Sequence, residues 1–384
     1  MIGVAPVSNT RRRQQQNRGV FLLSSLAMVA REGTLIVKLE SFTDVRKAIA
    51  TKGRPFHLML GNGFSMSYDP GIFSYNALHG FVDDLGDDLL SKLFEIVNTK
   101  DFEIVLRQLE NFRALAELFS NDHDLKDRVG SAALKLRRSL VDAIGALHPE
   151  HVFTVPQEKS DACARFLKLF LDSAGSIYTT NYDLLLYWVL MRNKVVESVD
   201  GFGRDRENPD EYVREEEVEY SELRWGKYKD SQRIFYVHGA LPLFDTGLEI
   251  VKEEYSDRTF LLNRIKSRIE NDEYPVFVTA GDGKEKLTHI RHNRYLDHAY
   301  ESLARIEGSL VTFGFNFGPS DSHIIDAINR AAKHGKKAPS RLWSAYIGVY
   351  SEHDRAHIEA VAGEFRCKVH IFDAKTTPVW GPVA

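Results

Sequence analysis

Residues 56–65 read Phe56-His57-Leu58-Met59-Leu60-Gly61-Asn62-Gly63-Phe64-Ser65. The first five are short, apolar and bounded by a break, which predicts a strand buried on both faces. Glycines at a strand end allow a tight turn and let a phosphate approach bare backbone N–H groups. The third glycine of the full dinucleotide fingerprint is missing, because Met66 stands there. Taken alone, the turn fits an ordinary strand-to-helix connection as well as a binding loop. Six further runs have the same character: Ser176–Thr180, Arg233–Val237, Pro275–Thr279, Ser309–Phe313, Ser344–Val349 and Lys368–Phe372. Helical patterns lie between them. Phe102, Val105, Leu106, Leu109, Phe112, Leu115 and Phe119 repeat at helical spacing, as do Leu134, Leu136, Leu140, Val141, Ile144 and Leu147. Strands alternating with helices predict an α/β fold, a Rossmann-like parallel sheet flanked by helices.

The spacing of the runs is uneven. Over a hundred residues separate Phe56–Leu60 from Ser176–Thr180. Their helical patterning predicts an inserted helical subdomain over about 85–172. Asp205–Glu222 is rich in Asp and Glu and contains Pro209, so an exposed acidic excursion is expected over about 204–225. Residues 33–384 then read as one domain carrying both features. Residues 1–32 hold five arginines, an apolar stretch Gly19–Ala30 and no acid before Glu32. Basic, then apolar, then small is the outline of a signal peptide. The reading taken is an unstructured N-terminal extension, with Met28 as an alternative start, because the rest of the chain reads as cytoplasmic.

Composition narrows the class. The 384 residues are 43% hydrophobic, which suits a globular chain able to bury a core without metals or disulfides. The net charge of −4 points away from nucleic acid. No apolar run approaches the roughly 20 residues that span a bilayer. Only Cys163 and Cys367 are present, far apart, so a cysteine-based zinc module cannot be built. His289, His292, Asp297 and His298 could offer metal ligands. Their neighbours Arg291, Arg294, Tyr295 and Tyr300 make Leu287–Ala304 read instead as an amphipathic surface helix, and no metal site is assigned.

Four segments follow predicted strands. Gly61–Ser65 is the first. Thr179-Thr180-Asn181-Tyr182-Asp183 is the second; Asn181 or Asp183 could simply cap the apolar helix at Leu184–Leu190, or place an amide and a carboxylate in a ligand crevice. His238-Gly239 is the third, with His238 a candidate general base and Gly239 leaving room beside it. Gly314-Phe315-Asn316-Phe317-Gly318 is the fourth, before a helix expected near Asp321 or Ser322. Ligands of open α/β sheets bind beyond the carboxyl ends of the strands. If the strands are parallel, all four segments face one crevice, which suggests a dinucleotide with chemistry at one end.

In this order the four segments resemble the sirtuin fold, over about Phe56 to Phe317 and on toward Phe372. Thr-Thr-Asn-Tyr-Asp at 179–183 and Phe-Gly-Phe-Asn-Phe at 313–317 are more similar to the sirtuin-like NADases of bacterial anti-phage defence than to the deacylases. The departures agree. The four-cysteine zinc module is absent. The deacylase pattern Pro-Asp-Phe-Arg is replaced by Asp69-Pro70-Gly71-Ile72-Phe73-Ser74, which keeps Phe73 but lacks the arginine.

The resemblance implies an NAD+ hydrolase that cleaves the nicotinamide–ribose bond without a metal. Asn181 would orient the ribose and the attacking water, Asp183 would hold the nicotinamide end, and His238 would take a proton. Gly61, Gly63 and Ser65 would cradle the pyrophosphate. Asn62, Phe64, Phe73, Thr180, Gly239, Gly314, Phe315, Asn316 and Asp321 complete the expected NAD contacts. It further implies a defence effector with low resting activity, acting as a homo-oligomer that is docked on a HerA-like ATPase or switched by a phage component. Two other readings use the same residues: a non-catalytic NAD or ADP-ribose sensor, and a zinc-free NAD-dependent protein deacylase.

Overall fold

The computed structural model describes residues 39–70, 87–98, 102–119, 123–207, 218–255, 259–271, 273, 275–278, 282–332 and 342–382. The N-terminal extension and Phe73 lie outside them. Leu39–Ala384 clusters as one unit.

The chain enters on β1 (Glu40–Ser41) and α1 (Phe42–Ala50), where Ser41 and Asp44 form a reciprocal capping box. Then come β2 (Phe56–Leu60) and the short α2 (Gly63–Tyr68). Three helices follow: α3 (Asp88–Val97), α4 (Phe102–Phe119) and α5 (His123–Leu147). Next are α6 (Gln157–Leu171), β3 (Ile177–Thr179), α7 (Leu185–Arg192), β4 (Phe202–Gly203), β5 (Leu223–Trp225) and β6 (Ile234–Tyr236). The chain continues through β7 (Gly239–Asp245), β8 (Ile250–Lys252), α8 (Leu261–Glu270), β9 (Pro275–Phe277), α9 (Gly283–His292) and α10 (Arg294–Leu303). It ends with β10 (Gly308–Phe313), α11 (Ser322–Ala331), β11 (Leu342–Val349), α12 (Glu352–Val361) and β12 (Lys368–Asp373).

Seven strands form one sheet in the order β1-β12-β11-β10-β2-β3-β6. Every pairing in it is parallel, and helices flank it, so the α/β, Rossmann-like expectation holds. Its central strands are largely buried: Leu58, Met59, Leu60, Ile177, Leu310 and Ile347 have no exposed surface. That burial is why these runs carry no polar alternation. The chain runs outward from β2 through β3 to β6 on one side and from β10 through β11 to β12 on the other. The switch point therefore lies between β2 and β10, where ligands of such sheets bind.

A second sheet was not legible in the sequence. It is antiparallel, in the order β4-β5-β8-β7-β9. From the run expected at Pro275–Thr279, Pro275–Phe277 forms β9, which belongs here and not to the parallel sheet, since it pairs with β7. A short apolar run is equally suited to either kind of sheet, so its hydrophobicity does not choose the partner.

The helical insertion is shorter than expected. Leu90, Phe94, Val105, Leu106, Leu109, Val129 and Leu136, from α3, α4 and α5, form a core of their own. Helix α6 instead buries Cys163, Phe166, Leu167 and Phe170 in the main core and serves the sheet. On α4, Phe112, Leu115 and Phe119 keep the expected helical spacing but stand exposed. The acidic excursion is described only at its flanks, where Glu207 N–H bonds the Glu219 carbonyl and Ser221 N–H bonds that of Asp205. Among the described residues no helix is long and apolar enough to cross a membrane.

Candidate functional site at the carboxyl edge of the parallel sheet

Register places the four segments together. Leu60 pairs with Phe313 on one side and Thr179 on the other, and Thr179 pairs with Tyr236. Asn181 and His238 each lie two residues beyond that last pair, at the same level on adjacent strands.

The two glycine turns pack against each other. Gly61 N–H bonds the Phe313 carbonyl at 3.1 Å, and Gly63 N–H bonds that of Gly314 at 2.9 Å. A Cβ on Gly63 would lie 2.5 Å from the Gly314 Cα, and Gly314 has φ +67°. Glycine is required at 63 and 314 because backbone meets backbone there. Both amides are thus engaged inside the protein rather than left bare for a phosphate. Phe64 is likewise a core residue: it packs on Trp380 with ring centroids 5.0 Å apart, and the Trp380 indole N–H reaches the Phe64 carbonyl at 3.2 Å. Asn62 and Thr180 are half-buried and Asn316 is exposed, while Phe315 turns into the core against Phe317.

Ser65 joins the first segment to the second. It is fully buried. Its hydroxyl donates to Asp183 Oδ2 and accepts from Asn181 Nδ2 at 2.9 Å. The second oxygen of Asp183 accepts the Leu185 N–H at 2.9 Å, so Asp183 serves the first turn of α7 from one position before its N-cap residue, Leu184. Both carboxylate oxygens thus have internal partners, and Asp183 works as an anchor. This chain of donors orients the Asn181 amide. Its carbonyl Oδ1 is left buried with no partner, on a residue 8% exposed. A buried orphan acceptor is costly and calls for an explanation. A donor arriving with a ligand supplies one.

His148 backs this network. Its Nε2 accepts the Leu184 N–H at 2.9 Å, so its proton sits on Nδ1, facing the Pro149 carbonyl at 3.0 Å. Burial lowers its pKa, against the opposing pull of Asp183 and Pro149.

His238 stands where the parallel sheet hands over to the antiparallel one, between β6 and β7. It is 4% exposed. Gly239 has φ +83°, and a Cβ there would collide with the Val276 carbonyl oxygen. The space beside His238 is therefore filled by β9, not kept for a ligand as its glycine neighbour suggested. His238 Nε2 lies 2.8 Å from His323 Nε2, at the start of α11. Burial pushes His238 well below the ordinary histidine range, helped by His323 and by the Lys286 charge. Burial and Lys286 hold His323 down to about 3. Both rings are neutral at pH 7.

Asp321 bonds Lys286 Nζ at 3.3 Å. Ligand atoms of His238, Asp321 and His323 lie within 4.8 Å of one another, the spacing of a metal-ligand set. Here the two imidazoles bond each other and Asp321 faces an ammonium, while His323 Nδ1 is buried without a hydrogen-bond partner. Elsewhere, the expected helix Leu287–Ala304 is two helices broken at Asn293, which caps α10. His289 and His292 are exposed, Asp297 pairs with Arg291, and His298 packs on Trp225 and Phe235.

The structure thus unites Gly61, Gly63, Ser65, Asn181, Asp183 and Gly314 in one cluster, and His238 with Asp321 in a second at the same sheet edge. Sequence reasoning missed His148, Lys286, His323 and Trp380. His323 alone left a trace: it lies on the buried face of α11 with Ile324, Ala327 and Ile328, where an apolar residue is the norm.

These features define an α/β protein with a Rossmann-like parallel sheet and a buried polar cluster at its switch-point edge. The chain belongs to the family described as Domain of unknown function (DUF4917), which matches residues 58–380 and so includes both clusters. A search of curated proteins gives no match.

Proposed function

We propose that the protein is an NAD+ hydrolase that releases nicotinamide and ADP-ribose. The observation that carries this reading is the buried, unpartnered Oδ1 of Asn181, held in place by Ser65 and Asp183. A ribose hydroxyl, or the attacking water, is the donor it lacks. In the reaction the C1′–N1 bond breaks, its electron pair leaves with nicotinamide, and water adds to a cationic, oxocarbenium-like C1′. The proton lost by that water goes to His238, whose buried ring is neutral before the reaction. Asp183 orients Asn181 through Ser65 instead of touching nicotinamide. The resemblance to sirtuin-like defence NADases supports the same reading, and with it a triggered effector that works as an oligomer.

The test is chromatography of NAD+ incubated with purified protein, alone and with its genomic-neighbour protein. Wild type should yield nicotinamide and ADP-ribose, and Asn181→Ala neither. A positioned base contributes about 10²–10⁴-fold, so His238→Ala should lose that much turnover while still binding NAD+. Intact NAD+ in every condition, with binding retained, would leave a nucleotide sensor in place of the enzyme.

A further inference from the structure

We propose that His323 is the positioning residue for His238: their Nε2–Nε2 hydrogen bond decides which nitrogen of His238 is basic. This rests on His238 being the base of the proposed reaction.

Two nitrogens 2.8 Å apart must share one proton. Two protons there would repel, as would two lone pairs. Each neutral imidazole carries one N–H, so the tautomers of the two rings are locked together. If His238 donates from Nε2, its Nδ1 holds a lone pair and can act as a base. If His323 donates instead, His238 is protonated at Nδ1 and cannot.

The base role proposed for His238 requires the first arrangement. The Nδ1 of His323 is buried without a hydrogen-bond partner, so the bond to His238 is the contact that ties the tautomer of that ring to its neighbour. In the first arrangement the Nε2 of His323 is the acceptor. The ring is fixed in place by packing: it is 1% exposed, meets His238 edge to edge with their planes 24° apart, and its backbone carbonyl takes the Tyr300 hydroxyl at 3.0 Å. Lys286 disfavours a positive charge on either ring, which keeps the pair at a single shared proton. Asp321, the other charged group of this cluster, is bonded to Lys286.

The first measurement is ¹⁵N NMR of the histidine side chains in the wild-type protein at pH 7.5, which reads tautomers without any substrate. The expected result is His238 protonated at Nε2 and His323 at Nδ1. His238 protonated at Nδ1 would overturn the proposal, as would stoichiometric zinc or manganese on elemental analysis, which would make the pair metal ligands. The second measurement is kinetic. His323→Leu should lower kcat about 10- to 100-fold with KM unchanged, since a wrong tautomer alone can cost far more than that. His323→Gln, whose carbonyl can accept from His238, should restore most of it. Equal loss in both variants would reduce His323 to packing. If wild type leaves NAD+ intact yet shows the expected tautomers, the hydrolase reading fails and the coupled pair stands.

Discussion

Replacing Ser65 with alanine removes one oxygen and no other atom, yet it should be among the costly single changes in the protein. That oxygen is fully buried and makes two hydrogen bonds. Asp183 loses its Oδ2 partner, and a hydrogen bond to a charged group is worth about 1.5–3 kcal/mol. The Asn181 amide loses its acceptor and leaves a buried N–H unsatisfied, at about 1–3 kcal/mol. With allowance for relaxation the expected loss is about 3–5 kcal/mol. Guanidinium denaturation followed by circular dichroism should show a lower midpoint with an unchanged slope. Asn181→Ala should cost much less, because it also removes the orphan carbonyl. In the double variant the costs should fall short of their sum by about 1 kcal/mol or more, since the two side chains share a bond. A Ser65→Ala cost under about 1 kcal/mol, or strict additivity, would refute the idea that this hydroxyl ties the cluster together.

Two further expectations concern the fold. Gly239→Ala should destabilise by more than about 3 kcal/mol, combining a strained backbone with a collision against β9. Gly247→Ala has nearly the same φ of +82° but open space around it, so about 1–2 kcal/mol is expected; equal midpoints for the two variants would rule out the collision. Acid should unfold the protein early. His57 is lowered by burial to about 4, His323 to about 3, and His238 lies well below its ordinary value. Between those values and about 6.5 the unfolded chain binds more protons than the folded one, so stability falls as pH falls. Each ring costs up to about 1.4 kcal/mol per pH unit, and for His57 and His323 the loss levels off below about pH 3–4. Stability that is flat from pH 7 to pH 5 would contradict this.

The parallel sheet was legible because its strands are buried on both faces and write themselves as short apolar runs. The second sheet was not, for reasons visible in β7. That strand opens on Gly239, holds Pro242 in its middle and shifts register between Gly239 and Phe244. Proline and glycine are signs against a strand interior unless an irregularity absorbs them. Within the site, Asn181, Asp183 and His238 stood out because each follows a strand end. What they do was less legible. The glycines that looked open to a phosphate are pressed together, and Asp183 is anchored to Ser65 and α7. His148 comes from a distant segment with no pattern to betray it, and His323 betrays itself only by standing on the apolar face of α11.

Trp380 closes the first glycine turn from 316 residues away, through the Phe64 carbonyl, and bonds Ser67 Oγ at 3.0 Å as well. The partner strand β10, with Gly314 at its end, also arrives late in the chain. At a synthesis rate of about 5–20 residues per second, the interval from Phe64 to Trp380 is roughly 16–60 s. Through that time a nascent chain already carries Ser65, and later Asn181, Asp183 and His238, without the β10 and Trp380 contacts that pack the first glycine turn. Assembly order on the ribosome thus withholds the closed form of that turn until its late partners have emerged.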